Sequence, residues 1–133
     1  MEPQTLAIAI GRVATYAGDL KDEEKDPLLN DIAWYVGNSY DKLPAVGQKQ
    51  ANAWGLHDML GTVWEWCADA FGPYPNGPVT EPVGDGSVGN RVVRGGSGGS
   101  IARFTRSACR GRSQPGLRGS GVGFRFARGR PAE

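Results

Sequence analysis

Apolar positions in this sequence come in short runs separated by glycine, proline and polar residues, and each run has its own period. Leu6 to Val13 is apolar and rich in branched residues, is broken by Gly11, and predicts a strand. Pro27 to Tyr35 puts a proline where a helix would begin, with apolar side chains at Leu28, Leu29, Ile32 and Ala33. That pattern predicts one or two helical turns, followed by a turn at Gly37-Asn38-Ser39. Leu56 to Leu60 suits a single helical turn with Gly61 as its C-terminal cap. Val63 to Cys67 alternates as a strand does, with Trp64 and Trp66 on one face and Val63, Glu65 and Cys67 on the other. Val92-Val93 is strand-like and runs into the turn signal Arg94-Gly95-Gly96-Ser97. Val122 to Ala127 alternates again, Val122, Phe124 and Phe126 against Gly123, Arg125 and Ala127. Trp64, Trp66, Phe124 and Phe126 are the expected aromatic core. The expected class is α+β, rich in loops, with short antiparallel strands.

No period runs through the stretch between the last two strands. Arginines recur there at positions 103, 106, 110, 112 and 118, and the residues between them are small or oddly assorted. It reads as an ordered frame carrying an unordered choice of residues. Phe71 to Gly89, with five glycines and four prolines, reads as a structured surface loop.

Composition narrows this picture. A chain of 133 residues suits one domain with one core, residues 1–133. Its 21 glycines and 9 prolines agree with the loops. The net charge of +1 hides an asymmetry. Residues 1–90 carry five Lys and Arg against thirteen Asp and Glu, while residues 91–133 carry ten Arg and one Glu. Packing of the two halves with paired charges is favoured over a nucleic-acid surface, because the arginines are interleaved with strand signals. Two cysteines, Cys67 and Cys109, make no disulfide framework. No stretch is long enough to span a membrane, and no basic segment precedes Leu6 to Ile10 as in a signal peptide. A soluble protein, cytoplasmic or virion-associated, is expected.

Catalytic motifs are sparse. The only histidine, His57, has no nucleophile elbow to serve and reads as structural. No Cys/His cluster has zinc spacing. Gly95 to Gly99 lacks the lysine and helix of a phosphate loop. Glu65, mid-strand among bulky residues, needs a partner if buried, either an arginine or a metal.

Two segments in this order resemble a known family. They are NAWGLHDMLGTVWEWCAD, Asn52 to Asp69, and the run from RVVRGGS, Arg91 to Ser97, to Gly123-Phe124-Arg125. Both look like the C-terminal half of the formylglycine-generating enzyme (sulfatase-modifying factor) superfamily, and Asp31 to Gly47 fits the same pattern upstream. The resemblance implies a loop-rich variant of the C-type lectin fold. The enzymes of the superfamily oxidise a substrate cysteine with copper held by two cysteines shortly after the RGGS turn. The corresponding positions here fall at Ser100 and Thr105, or Ala102 with a gap, and none is a thiol. The resemblance therefore points away from oxidase activity and leaves an inactive oxidase homologue as the alternative. Sulfoxide synthases of ergothioneine biosynthesis, a second enzyme branch, take histidine iron ligands from a helical domain with no counterpart in this sequence.

A third branch fits better: the variable proteins of diversity-generating retroelements, which use this fold as a non-catalytic binding scaffold. Their C-terminal segment is mutagenised at adenines, and from an AAC codon such changes reach Ser, Gly, Ile, Phe, Cys and Leu. Those residues stand at Gly98, Gly99, Ser100, Ile101, Phe104, Cys109, Gly111, Ser113, Leu117, Gly119, Ser120 and Gly121. Gln114 would derive from a lysine codon or belong to the frame. The resemblance thus implies a variable ligand-binding region within residues 91–128, contacting a protein or other macromolecular ligand through about 98–121. Phe104 and Leu117 would be the large apolar anchors of one exposed patch. No cofactor is required, and a structural calcium is implied only by family likeness. Its ligands would be the main chain of Leu60, Gly61 and Val63 and the Glu65 carboxylate, with Thr62 where asparagine is usual.

Overall fold

The structure, a computed structural model, describes residues 26–40, 42–74, 76–78 and 89–126. The expected strand at Leu6 to Val13, the end of the Val122 to Ala127 strand and much of the Phe71 to Gly89 loop lie outside the described residues. In chain order the elements are α1 (Pro27–Asn30), β1 (Ala33–Trp34), α2 (Val36–Ser39), β2 (Leu60–Gly61), β3 (Trp64–Ala70), β4 (Arg91–Arg94), a 3-10 turn (Ala102–Thr105), β5 (Gly111–Ser113) and β6 (Val122–Gly123).

The strands form two sheets. β1 and β2 are a parallel pair, Ala33 opposite Leu60 and Trp34 opposite Gly61. The larger sheet has the order β5-β4-β3-β6. β3 runs antiparallel to β4, with Glu65 opposite Arg94 and Trp66 opposite Val93, then shifts register before Ala70 meets Arg91. β4 and β5 are antiparallel, but β6 is parallel to β3. The expectation of antiparallel strands therefore holds for two of the four pairings. Parallel pairing of β6 with β3 needs a long crossover, and the chain from β4 to β6 within that crossover carries the segment without a period.

The core lies between α1, β1, β2 and the 3-10 turn: Leu29, Ala33, Tyr35, Leu60 and Ala102 are fully buried, with Ile32 and Val36 packed against them. Proline opens α1 as the pattern requires. The phenol of the buried Tyr35 accepts from the Asp26 amide at 2.6 Å and donates to the Asp26 carbonyl at 3.2 Å. Burial of its ring thus leaves no polar atom unmatched. Gly61 is required where it stands: a Cβ there would lie 1.9 Å from the Trp34 carbonyl oxygen, and its φ is +72°.

Two local readings are corrected. No helical turn forms at Leu56 to Leu60. The Asn52 side chain accepts hydrogen bonds from the amides of Trp54 and Leu56, both at 3.0 Å, and Asp58 adopts φ 54°. Such side-chain turns compete with helix hydrogen bonding. Phe124 and Phe126 are not core: they are 69% and 93% exposed and contact each other edge to face, with centroids 5.4 Å apart. β6 ends at Gly123, so the alternation that marks one face continues past the last strand pairing. Trp64 and Trp66 are half-buried.

Candidate ligand-binding face

The turn after β4 is held from three sides. The Gly61 amide donates to the Gly95 carbonyl at 2.7 Å, the Gly98 amide to the Thr62 carbonyl at 2.9 Å, and the Val36 amide to the Ser100 carbonyl at 3.0 Å. The Ser39 hydroxyl adds a donation to the Gly98 carbonyl at 2.7 Å. Two segments distant in sequence, residues 36–39 and 61–62, are thereby fixed against one turn, and these backbone groups are satisfied. Thr62 takes part at a cost: its φ is 64°, a left-handed conformation uncommon for a β-branched residue.

Beyond that turn the arginines brace loops. Arg94 donates to the carbonyls of Ser107 at 2.8 Å and Cys109 at 3.4 Å. Arg110 donates to the Gly72 carbonyl at 2.9 Å and stacks on the Tyr74 ring at 3.8 Å. Arg125 reaches the Asp58 carbonyl at 3.0 Å and grips Glu65, its Nε lying 2.8 Å from both carboxylate oxygens. Hydrogen bonding to Glu65 outweighs burial and raises the Arg125 pKa above its ordinary value. This pair also ties the basic C-terminal part to the acidic N-terminal part, as the charge pattern suggests.

Of the positions read as variable, Gly99, Phe104, Gln114, Leu117, Gly119 and Ser120 are exposed, Phe104 by 39% and Leu117 by 49%. Ile101, Cys109, Gly111, Ser113 and Gly121 are half-buried, while Gly98 and Ser100 are buried in the frame. Gly111 also belongs with the frame by its packing, since a Cβ there would stand 2.8 Å from a Val93 methyl. A small cavity of about 120 Å³ brings Gly98 and Gly99 together with Ser120 and Gly121. Its lining does not include Phe104 or Leu117. Lys42 and Thr62 also line it, and Tyr74 meets Arg110. Sequence reasoning missed Lys42 and Tyr74, which lie far off in the chain and carry no motif, and read Thr62 only as part of a calcium loop.

The positions assigned by resemblance to the copper-holding cysteines carry satisfied hydroxyls. Ser100 Oγ accepts from the Ser97 amide at 3.0 Å, and Thr105 Oγ1 donates to the Ala102 carbonyl at 2.8 Å. Cys67 and Cys109 are free thiols. Burial raises the pKa of each, with nearby arginines pulling the other way, so neither is activated as a thiolate. His57 is exposed, its Nδ1 2.8 Å from the Lys49 carbonyl oxygen. Glu65 takes the arginine, one of its two expected partners; a calcium ion would compete with the guanidinium for the same two oxygens, so the residues as arranged do not fit the ion. Among the described residues, no group of three or more His, Cys, Asp or Glu could hold a metal. No helix among them is long and apolar enough to cross a membrane.

Comparison with known proteins agrees with this geometry. Variable protein 1 of Treponema denticola superimposes with a TM-score of 0.70 at 31% identity, covering 87% of this chain and 44% of that one. PvdO of Pseudomonas aeruginosa gives 0.67 at 28% identity, covering 90% of this chain and 49% of that one. The formylglycine-generating enzyme of Streptomyces coelicolor is 40% identical over 81 residues, which are 57% of this chain but 26% of that enzyme. The chain thus spans about half or less of the length of each. The fold is the loop-rich, C-type lectin-like fold of formylglycine-generating enzymes and variable proteins. The sulfatase-modifying factor enzyme 1-like domain profile matches residues 9–130, and the chain belongs to that family.

Proposed function

We propose that this chain is a non-catalytic, variable binding domain whose ligand, a protein or other macromolecule, is held by the exposed part of residues 98–121. The region lies within residues 91–128 and its choice of residues is set by retroelement diversification. The observation that carries this reading is the separation of roles along one segment. Gly98, Ser100 and Gly111 serve the frame, while Gly99, Phe104, Gln114, Leu117, Gly119 and Ser120 face solvent on the same scaffold. Surface changes away from caps, cores and networks usually stay within ~0.5 kcal/mol, so such positions can change without loss of the fold. The likeness to Treponema denticola variable protein 1 supports the reading. So do the hydroxyls of Ser100 and Thr105 where oxidases of the family carry thiols.

The test is a display library randomised at those six exposed positions. Most members should retain cooperative melting, and selection against a panel of purified proteins should return different binders for different targets. A library that mostly unfolds, or that yields no target-specific member, overturns the reading. The alternative, an oxidase homologue, is checked by incubation with copper, oxygen and a peptide carrying a sulfatase-type cysteine motif; copper-dependent aldehyde formation would establish it. In the surrounding DNA, a reverse transcriptase gene and a near-copy of codons 98–121 differing at adenines are expected.

A further inference from the structure

We propose that the cavity beside the Ser97–Gly99 turn is a subsite for a carboxylate side chain, Asp or Glu, of a protein ligand. This rests on the reading of the segment as a binding face and names the chemistry at one point on it. The cavity has a volume of about 120 Å³, enough for a carboxylate on a short stem, and its lining includes the exposed residues Lys42, Leu43 and Ser120. It owes its room to small residues. A Cβ built on Gly99 or Gly121 meets nothing within 4 Å, so a larger residue at either position would fill or cover the space. Three of the lining positions, Gly99, Ser120 and Gly121, are thus free to set its shape in another variant.

Its polar side chains, Lys42, Thr62, Ser97 and Ser120, can each donate a hydrogen bond. Lys42 lines it, and its side chain has no partner among the described residues. The amides of Gly99 and Ser120 make no hydrogen bond among those residues, and the Ser120 hydroxyl is exposed. Thr62, in the wall, is 93% buried with its hydroxyl unpartnered. Among the described residues no carboxylate lines the cavity, and residues 91–126 contain eight arginines and no Asp or Glu. A lysine and hydroxyl groups around one notch favour an anion with hydrogen-bonding oxygens. A neutral amide of the same shape forgoes the charge-assisted hydrogen bond that a carboxylate makes with a lysine.

The experiment is a titration of the ¹⁵N-labelled chain with N-acetyl-glutamate amide, N-acetyl-glutamine amide and acetate, followed by amide chemical shifts. The glutamate compound should shift Gly98, Gly99, Ser120 and Gly121 saturably, with a dissociation constant on the order of millimolar. The glutamine compound should not, and acetate should bind more weakly than the glutamate compound. Lys42→Gln should weaken the glutamate compound at least ~fivefold, equivalent to ~1 kcal/mol, and Gly99→Leu should abolish its shifts; melting curves of both variants confirm folding. Equal binding of glutamine, acetate as tight as the glutamate compound, or shifts confined to arginines away from the cavity would each overturn the subsite. Phe104→Asn with Leu117→Asn lies outside the cavity lining and should leave this titration unchanged. Failure of the display library would therefore sink the proposed function without touching this result, and failure of the titration would leave the face standing.

Discussion

Two glycine-rich stretches of this chain look alike in sequence and behave as opposites. Gly95 to Ser100 is stitched to the 33–39 and 60–62 segments by backbone and serine hydrogen bonds, and a Cβ on Gly96 would press to 3.1 Å on Phe104 and Thr105. Gly116 to Gly121 lies at the surface, and a Cβ on Gly116, Gly119 or Gly121 meets nothing. Gly95, Gly96 and Gly98 in the first stretch have the backbone of another segment within 4 Å, and Gly99 alone of its glycines stands open. In the second the small residues leave room that a different side chain could occupy. The difference is the physical form of the division between frame and face.

The sharpest break of that comparison is Gly61→Ala against Gly119→Ala. The first forces a methyl to 1.9 Å from the Trp34 carbonyl at positive φ, so the β1–β2 pair must separate. A loss of ~4 kcal/mol or more in urea unfolding is expected, beyond the ordinary range of single substitutions. The second should stay within ~0.5 kcal/mol. Equal costs would erase the distinction.

Arg125→Ala comes next, with a loss on the order of 1–3 kcal/mol, because it leaves the half-buried Glu65 without its charged partner. Chelator should leave the melting temperature of the parent unchanged. If chelation lowers it and Glu65→Gln removes that effect, a calcium ion at Glu65 supplies the stability instead.

Phe124→Ala and Phe126→Ala should each cost less than the ~3–5 kcal/mol of a core aromatic, since both rings stand in solvent. A full core penalty in thermal or urea unfolding would place them under cover in solution. At alkaline pH the frame should loosen through Cys67. Burial raises its native pKa above the unfolded one, so the native state holds the proton longer. That contribution is complete below the unfolded thiol pKa and declines as pH rises through the folded value. Cys67→Ser should flatten the decline above about pH 8.5, the ordinary thiol pKa; an unchanged slope assigns it to other groups.

The smallest effect on stability belongs to the face. Phe104→Asn with Leu117→Asn should shift the melting temperature by only a few degrees while removing binding selected on the parent face. Unfolding of that double variant would mean that the two side chains serve the core.

Sequence alone determined the punctuation of this protein. The proline that opens α1, the strand through Trp64 to Cys67, the valines of β4 and the glycine turn after them are local signals acting over a few residues, and each element appears where it was expected, though burial does not alternate along β3. The order of the Trp64–Cys67 and Arg91–Ser97 motifs likewise marked the family. Tertiary structure alone decided which residues meet. It took Gly98 and Ser100 into the frame, gave Glu65 to Arg125, left Phe124 and Phe126 in solvent, and brought Lys42 and Thr62 to Ser120. Local period and turn chemistry are set by neighbouring dihedrals, whereas burial and partnership depend on contacts between segments tens of residues apart, which a single sequence does not encode in any local pattern.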